Sequence, residues 1–147
     1  VNGVVDEDDG DILVAGGGVH RLRHTDGGEV AVTLIGKYHI LGAAALGDIG
    51  SHFPDTDDRW KDADSGELLR SVVYELRGAG YSIENIDATV ICERPKLRPF
   101  VELIRSSLAE LMSIGIGRIS VKGKTNEGMD AVGAGKGIVV HAVALLK

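Results

Sequence analysis

Four carboxylates and a histidine crowd the stretch Gly47-Asp48-Ile49-Gly50-Ser51-His52-Phe53-Pro54-Asp55-Thr56-Asp57-Asp58. Pro54 cannot continue a helix, and Gly47 and Gly50 permit tight backbone turns. Such a loop can hold a metal or a polar ligand. The plainer alternative is a solvated, self-capping turn, since Asp and Pro favour turns whatever their function. A second stretch, Glu93-Arg94-Pro95-Lys96-Leu97-Arg98-Pro99, is a basic loop braced by two prolines. A third, Lys122 to Glu127, is polar and leads into the glycine-rich Gly128 to Gly137. Near the front, His20, Arg21, Arg23 and His24 lie close together, where isolated histidines read as surface residues. Gly16-Gly17-Gly18 invites a phosphate-loop reading, but no Lys-Ser/Thr follows it.

These stretches need elements to carry them. Val1 to Val5 and Ile12 to Ala15 read as two strands of a hairpin around the acidic turn Asp6 to Asp11. Residues 29–46 carry both β-branched and helical signals, with Val30, Leu34, Tyr38 and Leu41 at helical spacing; length decides for helix. Asp64 and Glu67 form a capping-box pattern before the apolar stripe Leu68, Leu69, Val72, Val73 and Leu76, and Gly78 and Gly80 stop that helix. Ile86 to Cys92 reads as a strand. Pro99 opens a helix with the stripe Phe100, Leu103, Ile104, Leu108, Leu111 and Met112. Ile119 and Val121 begin a strand, and Ile138 to Leu146 closes the chain as a strand apolar on both faces. The predicted order is β-β-α-α-β-α-β-β. It fits an α+β fold: a mixed sheet with helices packed on one face, in a single domain of residues 1–147. Apolar surface left on the last strand points to oligomerisation.

The chain's 147 residues suffice for a real core, filled by aliphatic residues because aromatics are only 4%. A formal charge of −6 argues against a nucleic-acid surface but leaves room for a mononucleotide. The single Cys92 excludes an internal disulfide and fits a reducing compartment. No apolar run is long enough to span a bilayer, and no signal peptide is visible in the first residues, so the expectation is a cytoplasmic protein.

From Leu41 onward the chain resembles the 2-C-methyl-D-erythritol 2,4-cyclodiphosphate synthase family. The matching segments are Leu41-Gly42-Ala43-Ala44-Ala45-Leu46-Gly47-Asp48-Ile49-Gly50, Phe53-Pro54-Asp55-Thr56-Asp57, Ala63-Asp64-Ser65, Gly80-Tyr81 and Asn85-Ile86-Asp87-Ala88-Thr89. They continue with Arg94-Pro95-Lys96, Lys124-Thr125-Asn126-Glu127, Gly135-Lys136-Gly137-Ile138 and Ala142-Val143-Ala144-Leu145-Leu146, in family order and nearly constant spacing.

The resemblance implies a homotrimer with active sites between subunits. There the substrate's 2-phosphate would attack the β-phosphorus of a cytidine diphosphate ester and expel CMP, a step of non-mevalonate isoprenoid biosynthesis. It implies that Asp48, Ile49 and Gly50 bind the methylerythritol unit and that Phe53, Pro54, Asp55, Thr56 and Asp57 form an adjoining substrate loop. Cys92, Glu93, Arg94, Pro95, Lys96, Leu97 and Arg98 match the cytidine loop, and Lys124 and Thr125 the phosphate side, with Glu127 as ligand to a magnesium- or manganese-type ion. His24, in His24-Thr25-Asp26-Gly27, becomes a phosphate contact and catalytic candidate together with Thr125.

The family's zinc-type site pairs an Asp-x-His near the N-terminus with a histidine on the first helix. Here Asp6 and Asp8 occupy the first position, Thr33 or Leu34 falls at the second, and His20 and His39 are the nearby histidines. A pair of carboxylates favours a harder cation than zinc. Ala131 and Ala134 stand where many members carry an aromatic residue and an arginine near the trimer axis. The alternative reading is a trimeric scaffold or nucleotide-binding protein of the same fold with impaired catalysis.

Overall fold

Asp64 starts the longest helix by accepting a hydrogen bond from the Glu67 amide at 3.0 Å, satisfying one of the free N–H groups of the first turn. In the computed structural model, which describes residues 3–5, 12–15, 19–22, 39–61 and 63–147, this helix runs Ser65–Gly78. Only half of the expected capping box forms, because the Glu67 carboxylate turns to Arg70 instead of to the cap amide. The helix ends when Gly80 takes φ +89°, with Tyr81 N donating to Leu76 O and Gly80 N to Arg77 O. That reversal is open to glycine because it has no Cβ to clash.

Numbered along the chain, the strands are β1 (Gly3–Val5), β2 (Ile12–Ala15), β3 (Val19–Leu22), β4 (Ile83–Ile91), β5 (Ile119–Lys124) and β6 (Val139–Leu146). The helices are α1 (Ile49–His52), α2 (Ser65–Gly78), α3 (Val101–Met112) and α4 (Asp130–Gly133). The expected hairpin is present, β1 pairing antiparallel with β2. It is extended by β3, where His20 lies opposite Val14, a strand that the polar sequence from Val19 onward did not announce. A four-residue strand is specified by its partner more than by its own pattern. Residues 39–43 are helical, the end of the helix expected over 29–46, and Ala45 breaks it at φ 56°.

The main sheet has the order β5-β4-β6, with β4 parallel to β5 and antiparallel to β6. A parallel pair requires a crossover, and α3 supplies it between β4 and β5. Ile86, Ala88 and Val90 of β4 are buried with Leu69, Val72 and Leu76 of α2 and Ile104, Leu108 and Met112 of α3. The opposite face carries Asp87 and the exposed Val143 and Leu145. This is the expected α+β arrangement, a mixed sheet with helices on one face. Leu103 departs from its expected place on the α3 stripe and is 59% exposed. The buried row repeats every fourth residue from Ile104, and Leu103 is one residue, about 100° around the helix, off that row. On β6, only one face is half-buried, so apolar type alone did not define its two sides.

Candidate active site

Two of the chemistry-bearing stretches leave the main sheet at one point. Ile91 and Lys124 are register partners at the carboxyl ends of parallel β4 and β5. The Cys92 amide extends the ladder by donating to Lys124 O at 3.0 Å. The 92–98 loop and the 124–127 segment therefore begin side by side, at the end of the strands where open sheets commonly bind ligands.

The 92–98 loop is held from within. Cys92 and Leu97 are buried, and the Cys92 thiol donates to Pro95 O at 3.5 Å. Leu97 sits on β5 at Gly123, where an added Cβ would lie 3.0 Å from the Leu97 Cβ. Burial, then the Glu93 charge, pushes the Cys92 thiol up to about 11. With those two side chains turned inward, Arg94, Lys96 and Arg98 are left exposed, Lys96 lying 3.5 Å from a Glu93 oxygen. Together with exposed Lys124 they concentrate positive charge on one edge of an acidic chain, a field suited to an anionic ligand.

On the 124–127 side, Thr125 Oγ1 donates to Glu127 Oε1 at 2.7 Å. Glu127 adopts a left-handed φ of 52°, followed by Gly128 at 77° and Asp130 at 57°. Left-handed non-glycine residues persist where surroundings over-determine them, and here the surroundings are visible. Asn126 Nδ2 donates to Met129 O at 3.2 Å and Asp130 Oδ2 at 2.8 Å. Asp130 Oδ1 accepts from the Val132 and Gly133 amides. The Asn126 hydrogen bond, and then those amides, hold the Asp130 carboxyl below its ordinary value. Gly133 closes the turn so tightly that a Cβ there would fall 2.4 Å from the Gly128 carbonyl carbon.

The 46–60 segment is built on other anchors. Asp48 caps α1 by accepting from Gly50 N at 3.0 Å. Ile49 and Phe53 are buried, and Phe53 meets Trp60 edge-on with ring centroids 4.9 Å apart. Asp57 caps the turn at 58–60 and binds the Arg59 guanidinium through both oxygens. That side-chain hydrogen bond holds the Asp57 carboxyl below its usual range. Asp55 and Thr56 form the exposed tip. No hydrogen bond or ion pair among the described residues joins this segment to 92–98 or 124–127.

The model of the YgbB family matches residues 19–147. The chain belongs to the YgbB family. Among curated relatives, the 2-C-methyl-D-erythritol 2,4-cyclodiphosphate synthase of Azotobacter vinelandii is 46% identical over 143 residues, covering 94% of this chain and 90% of that one. The bifunctional IspDF of Campylobacter jejuni superposes with a TM-score of 0.77 at 30% identity, covering all of this chain and 40% of that one. The Plasmodium falciparum IspF structure, a CDP complex, gives a TM-score of 0.69 at 31% identity over 97% of this chain and 86% of that one.

Within this YgbB chain the candidates thus divide. Ile49, Phe53, Cys92 and Leu97 are internal anchors of the loops that bear them. Asp48, Gly50, Asp55, Thr56, Arg94, Lys96, Arg98, Lys124 and Glu127 are exposed. Asp6, Asp8 and His24 lie outside the described residues. His39 Nε2 accepts from the Ala142 amide at 3.3 Å. Among the described residues no three His, Cys, Asp or Glu side chains converge. Glu127 beside Thr125 supplies one carboxylate, a donor set that suits a magnesium-type ion completed by ligand phosphates and water. The contacts through which His52, Asn126, Asp130 and Gly133 shape these segments were not visible in the sequence, because each acts through a partner on another turn or element.

Proposed function

We propose that this chain converts 4-diphosphocytidyl-2-C-methyl-D-erythritol 2-phosphate to 2-C-methyl-D-erythritol 2,4-cyclodiphosphate and CMP, as its curated relatives are named for doing. The observation that carries the reading is the Cys92–Lys124 hydrogen bond, which seats a cationic, proline-stiffened loop beside the Thr125–Glu127 pair. A nucleoside diphosphate fits such a pair of neighbours, with its base against 92–98 and its phosphates toward 124–127.

In the reaction the 2-phosphate oxygen forms a bond to the β-phosphorus. The β-phosphorus–oxygen bond to the α-phosphate breaks, and CMP departs with that oxygen. Such a transfer needs alignment and charge neutralisation more than covalent help. Asp48 accepts hydroxyl hydrogen bonds from the methylerythritol unit, next to the exposed Asp55 and Thr56. Lys124 neutralises phosphate charge. Thr125 exchanges its bond to Glu127 for one to the phosphate as charge builds there. A divalent ion held by Glu127 and substrate phosphates would supply further neutralisation and orientation. His24 as a phosphate contact, and Asp6 and Asp8 as ligands of a second ion, belong to this reading on the resemblance alone.

The working unit in this reading is a single-domain subunit of a cytoplasmic homotrimer. The exposed apolar Val143 and Leu145 support an assembly in which a neighbour completes the site. No described helix is long and apolar enough to cross a membrane.

Purified chain given this substrate with magnesium or manganese, with and without zinc, should release CMP and a cyclic diphosphate seen by phosphorus NMR. Thr125→Ala should lower kcat by about a hundredfold. CDP binding with no CMP release under any metal would replace the synthase reading with that of a nucleotide-binding scaffold.

A further inference from the structure

His52 lies in the 46–60 segment but is given no role in binding above, and its ring is bonded at both ends. Nε2 lies 2.8 Å from Leu46 O, and Nδ1 lies 2.6 Å from Glu75 Oε2 on α2. Both partners are acceptors. A ring protonated on both nitrogens satisfies both, and a neutral ring satisfies one. The side chain is 20% exposed, so the pair is partly withdrawn from solvent rather than waving at the surface.

The contact to Leu46 closes a loop of chain that holds Gly47, Asp48, Ile49, Gly50 and Ser51. Ile49 is the one buried side chain of this stretch, and the rest of it is open. Gly47 has φ +89° and open space around its Cα, and Asp48, Gly50 and Ser51 are exposed. α1 is a single turn, too short to be stable by its own hydrogen bonds. Ala44 and Phe53 are the buried residues that flank it. Glu75 then ties the closed loop to α2, whose Leu69, Val72, Val73 and Leu76 lie in the core.

We propose that His52, braced by Glu75, is a positioning residue that fixes the Asp48-Ile49-Gly50 turn for the polyol end of the substrate. The kinetic consequence rests on the function proposed above; the structural consequence does not. The competing account is an ordinary partly exposed ion pair that adds stability and nothing more.

The test compares His52→Leu, which removes both ring nitrogens, with His52→Gln, whose amide stands in for Nε2, and His52→Asn, whose amide stands in for Nδ1. Glu75→Leu removes the brace. His52→Leu should raise KM for the full substrate about tenfold, the scale of one lost hydrogen bond, while the Kd for CDP alone stays unchanged. His52→Gln should recover most of the loss and His52→Asn little, with Glu75→Leu intermediate. Equal changes in KM and CDP affinity, no change in KM, or recovery by Asn rather than Gln would overturn the proposal. If the wild-type chain releases no CMP, the function reading fails and amide hydrogen exchange decides this one. Exchange at residues 48–51 should then be faster in His52→Leu than in His52→Gln while β4 amides stay equal in both. Equal exchange at 48–51 overturns it.

Discussion

At the scale of single residues, the loops are held by side chains different from those they present. Cys92 is an example: its amide joins the β5 ladder, its thiol faces Pro95 O, and Arg94 beyond it is left exposed. Because burial pushes the thiol up to about 11, the native protein should resist iodoacetamide at neutral pH and the denatured chain should react readily, as mass spectrometry would show. The same shift fixes a pH dependence. The folded value lies above the ordinary 9.0, so above 9.0 the unfolded chain loses its proton first. Stability tied to this group is complete below 9.0 and declines as pH rises toward about 11. Across that window the wild type should lose more thermal stability than Cys92→Ala, whose own decline lacks this component.

At the scale of elements, the turn from Lys124 to Gly133 depends on backbone meeting backbone. Gly133→Ala would push a methyl into Gly128 and should destabilise the protein by about 1–3 kcal/mol, the range of overpacking, unless the turn gives way. If it gives way, activity should fall with little change in melting temperature, because the Thr125–Glu127 pair sits on the displaced segment. Paired melting and CMP-release measurements separate the two outcomes. Much of this level was legible in the sequence. The α2 stripe, the Asp64 cap, the hairpin and the Ile119 strand all follow from periodicity and capping chemistry. What escaped was non-local. β3 exists through its pairing with β2, Leu103 needed the helix phase set by the core, and Asn126–Asp130 and His52–Glu75 are pairs that composition cannot match up. For the site, Asp48, Arg94, Lys96 and Glu127 were legible as loop residues. That Phe53, Cys92 and Leu97 face inward was not, because a loop residue's direction is decided by the element beneath it.

At the scale of the molecule, the sheet face opposite the helices carries Val143 and Leu145, 71% and 56% exposed. In the proposed assembly this face is the association surface. Val143→Asp should leave the subunit folded, shift a trimer to monomers in sedimentation, and reduce CMP release with it. A wild type that already sediments as a monomer would remove the inter-subunit site from the picture. The paired strand ends carry one more consequence, for chain length. Side chains alternate along a strand, so one inserted or deleted residue within Ile119–Lys124 would turn Lys124 to the other face and take its carbonyl away from Cys92. Insertions and deletions should therefore be excluded from β5 and tolerated at the exposed 115–118 turn before it. That turn is where a peptide tag could be placed without disturbing the ligand edge.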